Sequence, residues 1–185
     1  MKNKIDAIIP CAGNSKRMQT NLPKALLKVN GESSINNQLK LLNKFIDNFY
    51  IIINENLNEE KKYIKRIETK YLKKITFISS KAGSGDGMAI LDALNYINKT
   101  KNRQTNIFVC WGDVYFKNDN IIKIFKDYFS NKKKLKTMLV PLKFKKNPYV
   151  SFIFDKNNNI KQVLFQRRNQ FVDFGYQDLG IFLIN

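Results

Sequence analysis

The sequence predicts an α/β fold with a mostly parallel central sheet. Short, fully apolar runs alternate with segments of helical periodicity over about the first 130 residues. Runs without polar alternation are typical of parallel strands that helices cover on both faces. After Pro141 the pattern changes to alternating segments joined by a polar turn, which predicts a small β-hairpin region. Together these observations predict a Rossmann-like three-layer sandwich.

The predicted elements follow from these patterns in chain order. Apolar runs predict strands at Ala7–Cys11, Phe49–Ile53, Ile75–Ser79, Ile107–Cys110 and Thr137–Pro141. Apolar residues that recur every three or four positions predict helices at Ser34–Phe45, Asn58–Tyr71, Gly87–Ile97 and Asn120–Phe129. The hairpin is predicted from Tyr149–Phe154 and Ile160–Phe165, and a final strand from Leu179–Ile184.

Length and composition predict one domain over residues 1–185, large enough to bury a core. No apolar run approaches the length of a transmembrane helix, and the N-terminus lacks the apolar stretch of a signal peptide. We therefore expect a cytoplasmic location and no membrane insertion. Because the chain stops at the end of its last predicted strand, we expect either the N-terminal part of a longer protein or a minimal protein.

The chain contains no histidine and two cysteines, Cys11 and Cys110. Without histidine, Ser-His-Asp and Cys-His nucleophile systems, His-metal sites and imidazole acid–base chemistry are excluded. Both cysteines end apolar runs predicted as neighbouring strands, so we expect buried free thiols and neither a disulfide framework nor a metal cluster. Catalysis would depend on carboxylates, Lys, Arg and metal ions, which are the groups used in nucleotidyl transfer.

The net charge of +18 arises from 33 Lys and Arg against 15 Asp and Glu. These cations are spread along the chain and are not interleaved with aromatic residues as in RNA-recognition modules. We expect a solvated basic surface that attracts small anionic substrates, and no nucleic acid partner. No pattern in the sequence indicates an oligomeric state.

A loop of small residues follows the first predicted strand. Ala12, Gly13 and Ser15 would let backbone N–H groups approach phosphate oxygens closely. Arg17 can offer two donors to two oxygens, and Lys24 is a compact positive charge. From the loop alone, a polyphosphate site and an ordinary turn with surface cations are equally good interpretations.

Two further segments follow predicted strands at the same edge of the sheet, where nucleotide-binding α/β proteins hold their ligands. Gly83 and Ser84 begin a glycine-rich segment suited to the close approach of a base or ribose, or to a simple helix cap. Asp113 follows Gly112 at the end of an apolar strand. A carboxylate there is poorly placed for packing and well placed for Mg²⁺.

The segment from Ile8 to Lys24 resembles the signature of the sugar-nucleotidyltransferase (NDP-sugar pyrophosphorylase and cytidylyltransferase) family. This family includes MobA-like proteins and the N-terminal domain of N-acetylglucosamine-1-phosphate uridylyltransferases. Further family motifs are matched at Gly83–Gly87, Trp111–Asp113 and Asp178–Ile181. The resemblance covers nearly the whole chain and is closest to the uridylyl- and cytidylyltransferases of bacterial surface-polymer synthesis.

The resemblance implies a role for each motif. The residues expected to bind the nucleotide are Cys11, Ala12, Gly13, Asn14, Ser15, Gly83 and Ser84. Arg17 would hold the leaving β- and γ-phosphates, and Lys24 would contact the α-phosphate and the incoming phosphate. Asp113 and Asp178 would hold Mg²⁺.

The part of the chain expected to bind the acceptor departs from the family pattern. Tyr149 is followed by Val150, where hexose-1-phosphate enzymes have a glycine. Phe165 stands where the family has a glutamate that binds sugar hydroxyls. Arg167 or Arg168 would bind the phosphate of the acceptor. We therefore expect the acceptor to be a phosphorylated alcohol or a modified sugar, and not N-acetylglucosamine phosphate.

The sequence thus predicts a Mg²⁺-dependent nucleotidyltransferase. It would transfer a nucleoside monophosphate from CTP or UTP to a phosphorylated sugar or alcohol, releasing pyrophosphate, for the synthesis of capsule or surface-polysaccharide precursors. Two alternatives stay open. The first is a nucleotide-binding regulatory domain or pseudoenzyme, and the second is a basic nucleic-acid-binding module. Arg17, Lys24 and Asp113 argue against the first, and the dispersed charge argues against the second.

Overall fold

The computed structural model describes residues 5–13, 22–55, 58–81, 85–100, 106–131, 138–157 and 159–184. Its central sheet has six strands in the order β5-β4-β1-β6-β12-β7. They are β1 (Ile5–Pro10), β4 (Asn48–Asn54), β5 (Ile75–Ser80), β6 (Asn106–Cys110), β7 (Met138–Leu139) and β12 (Ile181–Ile184). The first four of these run parallel, and β12 pairs antiparallel with both β6 and β7. The predicted mostly parallel sheet is confirmed.

Helices cover both faces of this sheet, as a three-layer sandwich requires. They are α1 (Ser34–Leu42), α2 (Glu59–Ile64), α3 (Thr69–Leu72), α4 (Asp86–Thr100) and α5 (Asn118–Asn131). Side chains alternate between the faces along each strand. Ile9 of β1 packs in the core that includes residues of α1 and α5, whereas Ile8 packs in the core that includes residues of α4. Both faces of β1 are therefore buried, which explains its run of apolar residues from Ala7 to Ile9.

A second, smaller sheet lies in the part of the chain after the parallel strands. It contains β8 (Leu142–Lys146), β9 (Val150–Phe154), β10 (Ile160–Phe165) and β11 (Phe174–Asp178), in the order β10-β9-β11-β8. The predicted hairpin is confirmed as the antiparallel pair β9–β10. The sequence did not predict β8 and β11, because both contain residues that strands disfavour, lysine in β8 and glycine and aspartate in β11.

A further small hairpin, β2 (Lys28–Val29) and β3 (Glu32–Ser33), connects Lys24 to α1. Its turn is Asn30-Gly31, and both residues have positive φ angles, +52° and +85°. Asn-Gly is the preferred sequence for a two-residue hairpin turn of this kind. The hairpin was therefore readable from the sequence, although its strands have only two residues each.

The continuous helix predicted over Asn58–Tyr71 is wrong. Two short helices, α2 and α3, occupy this segment, and Glu68 between them is extended, with φ −60° and ψ 129°. The backbone carbonyl of Arg66 accepts a hydrogen bond of 2.9 Å from Asn36 Nδ2 of α1. In a continuous helix that carbonyl would accept from the backbone four residues later, so a tertiary contact replaces a helical one.

Two predicted strands are shorter than expected. Of the residues described within Thr137–Pro141, which begin at Met138, only Met138–Leu139 pairs as β7, and the chain then pairs in the other sheet from Leu142 onward. The last strand begins at Ile181 because Gly180 adopts a positive φ of +69°, which bends the chain away from β11. Among the helices described, none has the length and apolarity needed to cross a membrane.

The core between α5 and the sheet is centred on Phe125, which is fully buried. Its ring stacks on Phe45 at 4.3 Å and on Phe108 at 5.2 Å between centroids. Phe125→Ala should lower the free energy of unfolding by about 3–5 kcal/mol, because the cavity is surrounded by rigid aromatic rings. Urea denaturation followed by circular dichroism measures this loss.

Phe129→Ala on the same helix is the matched control, because that side chain is 38% exposed. Its loss should be on the order of 1 kcal/mol. Equal losses for the two variants would contradict this assignment of the core.

Candidate active site

The strand order places a topological switch point between β1 and β6. Strands β4 and β5 extend the sheet on one side of β1, while β6 lies on its other side. The chain leaves β1 to form β4 on one side of this point, and it leaves β6 to form β7 on the other side. Ligands of open α/β sheets bind at such a point, outside the carboxyl ends of the strands. Among the described residues, Cys11, Ala12 and Gly13 follow β1, and Trp111, Gly112 and Asp113 follow β6.

These two loops remain in contact beyond the ends of their strands. Gly112 N, in the loop after β6, donates to Pro10 O at the end of β1 at 3.1 Å. On the other side of β1, Cys11 N donates to Ile52 O of β4 at 2.7 Å. A Cβ at position 112 would collide with Cys11 Sγ and would lie 3.1 Å from Pro10 O. Only glycine permits this approach, so Gly112 determines where the chain leaves the sheet.

The structure brings Lys24 and Asp113 together at this edge, although they are far apart in sequence. Lys24 begins a 3-10 turn over Lys24–Leu26, and its Nζ lies 3.9 Å from Asp113 Oδ2. The side chains are 34% and 53% exposed. An ion pair this exposed contributes little to stability. The two groups are instead accessible to a ligand, with a cation and an anion side by side.

Asp178 lies at the end of β11, one residue before the predicted last strand Leu179–Ile184. Its Oδ1 accepts a hydrogen bond of 2.8 Å from Gly180 N, which closes the bend between β11 and β12. Gly180 O in turn accepts from Trp111 N at 3.1 Å. Asp178 is thus joined through Gly180 to the loop that carries Asp113.

The donor set at this edge fits a hard divalent cation. The described residues contain no group of three or more His, Cys, Asp or Glu side chains that could hold a metal ion by themselves. Mg²⁺ needs no such group, because it binds through one or two carboxylates together with waters and substrate phosphates. Asp113 and Asp178 supply two carboxylates on connected segments.

Both thiols are free, as predicted; Cys110 is buried, whereas Cys11 is only partly buried and to that extent departs from the prediction. Burial raises the pKa of the Cys11 thiol to about 12 and raises the pKa of the Cys110 thiol well above its usual value. Cys110 Sγ also donates to Gln38 Oε1 at 3.4 Å. Because the thiolate is the nucleophilic and metal-binding form, a raised pKa lowers the reactivity of both groups.

The raised pKa values predict that native protein resists alkylation. At pH 8 a thiol with a pKa of about 12 is ionised in about one molecule in ten thousand. Iodoacetamide at pH 8 should therefore label neither cysteine in the folded protein and both cysteines in guanidinium. The variant Cys11→Ser separates the two sites by mass spectrometry. Rapid stoichiometric labelling of the native chain would contradict the assignment.

The predicted acceptor residues lie in and around the second sheet. Tyr149 precedes β9, is 48% exposed, and its backbone N donates to Gln177 Oε1 at 2.9 Å. The Arg168 guanidinium lies 5.2 Å from the centroid of the Phe165 ring. The backbone of Arg167 belongs to the same 3-10 turn, Gln166–Arg168, while its side chain lies outside the described part.

Several predicted nucleotide-binding and catalytic residues fall outside the described residues. They are Asn14, Ser15, Arg17, Gly83 and Ser84. Their roles stay predictions. The glycine-rich segment does lead into a helix, since α4 begins at Asp86.

The sequence analysis did not identify the polar side chains of α1 that hydrogen-bond to the backbone of the Asp113 loop. Ser34, Asn37 and Gln38 of α1 are buried and hydrogen-bond to the backbone of residues 111–116. One signal was present, because these polar residues occur at helical spacing beside the apolar stripe of Ile35 and Leu39. Polar residues on a helix are usually solvated, so the spacing alone does not distinguish them.

Comparison with known proteins places the chain in a family. The profile of the MobA-like NTP transferase domain matches residues 7–153. The Bifunctional protein GlmU of Methanococcus aeolicus is 28% identical over 173 residues, covering 89% of this chain. The chain spans 37% of the length of that relative.

Two solved structures share the fold. HddC from Yersinia pseudotuberculosis matches with a TM-score of 0.69 and 16% identity, over 97% of this chain and 76% of that one. A putative glucose-1-phosphate thymidylyltransferase from Bacillus anthracis matches with a TM-score of 0.68 and 17% identity, over 97% and 70%. Because the matching profile spans most of the chain, the protein belongs to the MobA-like NTP transferase domain family, and so to the nucleotidyltransferases.

Proposed function

We propose that the protein transfers a nucleoside monophosphate from CTP or UTP to a phosphorylated sugar or alcohol and releases pyrophosphate. The observation that carries the proposal is the Lys24–Asp113 pair, 3.9 Å apart at the switch point of a nucleotidyltransferase fold. The product would be a precursor for bacterial surface or capsule polysaccharide, made in the cytoplasm where NTPs are available.

In this reaction an oxygen of the acceptor phosphate attacks the α-phosphorus of the NTP in line. The bond from that phosphorus to the α–β bridging oxygen breaks, and its electron pair leaves with pyrophosphate. The attacking phosphate is already an anion, so no general base is required. The protein therefore contributes alignment and charge stabilisation, which suits a chain without histidine.

Each charged side chain has a place in this scheme. Lys24 would contact the α-phosphate and the incoming phosphate and reduce the repulsion between them. Arg17 would hold the β- and γ-phosphates that leave. The small residues Ala12 and Gly13, which follow β1 directly, would leave room for the nucleotide backbone to approach.

Asp113 and Asp178 would hold the divalent cation, for which we propose Mg²⁺. When bound, this cation supplies positive charge to the phosphate oxygens. Asp113 is the more accessible of the two carboxylates, being 53% exposed, whereas one Asp178 oxygen is hydrogen-bonded to Gly180 N.

The acceptor would bind between the switch point and the second sheet, near Tyr149 and the pair Arg167-Arg168. Phe165 ends β10 and carries the Arg168 guanidinium on its ring. An aromatic ring there cannot accept hydrogen bonds from sugar hydroxyls as a glutamate would. This supports a phosphorylated alcohol or a modified sugar over N-acetylglucosamine 1-phosphate.

A screen of pyrophosphate release tests the function. Purified protein is incubated with each of the four NTPs and with a panel of sugar 1-phosphates and alcohol phosphates. Release should occur with CTP or UTP and one acceptor, and not with N-acetylglucosamine 1-phosphate. Nucleotide binding without release from any pair would indicate a regulatory domain. Salt-sensitive binding to nucleic acid without release would indicate a nucleic-acid-binding module.

Activity should depend on a divalent cation through Asp113. Asp113→Asn keeps the side-chain shape but removes its charge, so kcat should fall on the order of 100-fold while the fold persists. EDTA should abolish turnover of the unmodified protein and Mg²⁺ should restore it. Asp119→Asn, an exposed carboxylate in the first turn of α5, is the matched control and should retain activity. Full activity of Asp113→Asn at saturating Mg²⁺ would refute the role.

Lys24→Ala should also lower kcat on the order of 100-fold, because the positive charge beside the reacting phosphates is lost. The free energy of unfolding should change by less than about 1 kcal/mol, since the ion pair with Asp113 is exposed. Steady-state kinetics and urea denaturation measure the two effects. Lys28→Ala, an exposed lysine four residues later, serves as the control. If Lys24→Ala unfolds instead, Lys24 is a structural residue.

A further inference from the structure

One face of α1 is polar and buried, and we refer to Ser34, Asn37 and Gln38 as the α1 polar face. Their side chains lie at positions i, i+3 and i+4, so they point to the same side of the helix. Ser34 and Asn37 are about 5% exposed, and Gln38 is fully buried. Buried polar groups are costly unless they are hydrogen-bonded. Each of these three has a partner in the loop that follows β6.

Gln38 is the centre of this face. Its Nε2 donates to Trp111 O at 2.8 Å and to Val114 O at 2.7 Å, one residue before Gly112 and one residue after Asp113. An amide nitrogen carries two protons, so both bonds form at once. The two ends of the turn around Asp113 are therefore held at a fixed separation by a single side chain.

The hydroxyl of Ser34 connects the same turn to the segment that carries Lys24. Ser34 Oγ lies 2.6 Å from Gly112 O and 3.2 Å from Ala25 O. A hydroxyl has one proton, which is shared between the two carbonyls and favours the nearer Gly112 O. Ala25 directly follows Lys24, so this contact joins the backbones next to both charged residues.

Asn37 holds the far end of the loop. Its Oδ1 accepts a hydrogen bond of 2.8 Å from Phe116 N. Together, Ser34, Asn37 and Gln38 hydrogen-bond to three backbone carbonyls and one backbone N–H of residues 111–116. The Asp113 carboxylate, by contrast, is 53% exposed at the top of the loop.

From this arrangement we infer that Ser34, Asn37 and Gln38 are positioning residues for Asp113 and, through Ala25, for Lys24. The inference rests on the proposed function of Lys24 and Asp113. None of the three side chains need touch substrate, because they act through the backbone of the loop. Leaving any of these buried or partly buried carbonyls without a donor would favour a different loop conformation and would displace the carboxylate.

The single tryptophan of the chain allows a test that does not depend on activity. Trp111 belongs to this loop and its carbonyl is a Gln38 partner. Gln38→Met keeps the length and volume of the side chain but removes the amide. Ser34→Ala removes one oxygen atom, and it keeps the test possible if Gln38→Met does not fold. The matched control is Asn36→Ala on the same helix, which removes a bond of 2.9 Å to Arg66 O and leaves the loop untouched.

Two measurements are made on each variant, steady-state kinetics of pyrophosphate release and acrylamide quenching of Trp111 fluorescence. Gln38→Met and Ser34→Ala should lower kcat on the order of 10- to 100-fold, because small displacements of a catalytic group are costly. KM for the nucleotide should change much less. The quenching constant should rise about twofold, because Trp111 is half-buried and becomes more exposed to acrylamide when the loop is more mobile. Asn36→Ala should match the unmodified protein in both measurements.

The outcomes separate this inference from the proposed function. If the unmodified protein releases no pyrophosphate, the proposed function fails, and the quenching constant alone then decides whether the α1 polar face holds the loop. An unchanged quenching constant in Gln38→Met and Ser34→Ala would overturn the inference. So would an unchanged kcat in the two folded variants, or an equal loss of kcat in Asn36→Ala.

Discussion

The candidate site depends on the close contact of β1 and β6 beyond the ends of the two strands. Gly112 N donates to Pro10 O, and the Cys11 thiol lies where a side chain at position 112 would have to be. A residue with a Cβ would push the two loops apart. Because the approach is this close, the loops that leave the two strands lie side by side, and Asp113 follows Gly112 directly at this contact.

Helix α1 packs in the core of the domain and also hydrogen-bonds to the loop at this edge of the sheet. Its apolar stripe, which includes Ile35 and Leu39, is fully buried in the core. Its polar face hydrogen-bonds to the loop that carries Asp113. The same helix therefore contributes to the core and supports the site. A buried amide with all its partners allows few alternative arrangements, since any other arrangement leaves a polar group unpaired.

The electrostatics of the site suit charge stabilisation better than proton transfer. The two thiols near the sheet edge remain neutral because burial raises the pKa of each. The accessible groups of opposite charge at this edge include Lys24 and Asp113, which lie 3.9 Å apart. The net charge of +18 adds a general attraction for anionic substrates. Phosphate ligands that carry several negative charges match this environment.

The sequence by itself determined the α/β class, the order of the parallel strands and helices along the chain, and the glycine and aspartate at the end of β6. The strands and helices follow from local periodicity. The glycine and aspartate at the end of β6 are recognised because a polar, charged residue rarely follows an apolar strand unless it faces solvent or a ligand. Only the tertiary structure decided which residues meet. The 3.9 Å approach of Lys24 to Asp113, the break in the helix at Glu68 and the bonds from Gln38 all involve partners distant in sequence. Such contacts depend on how β1, β6 and α1 pack against each other, and no local pattern encodes that packing.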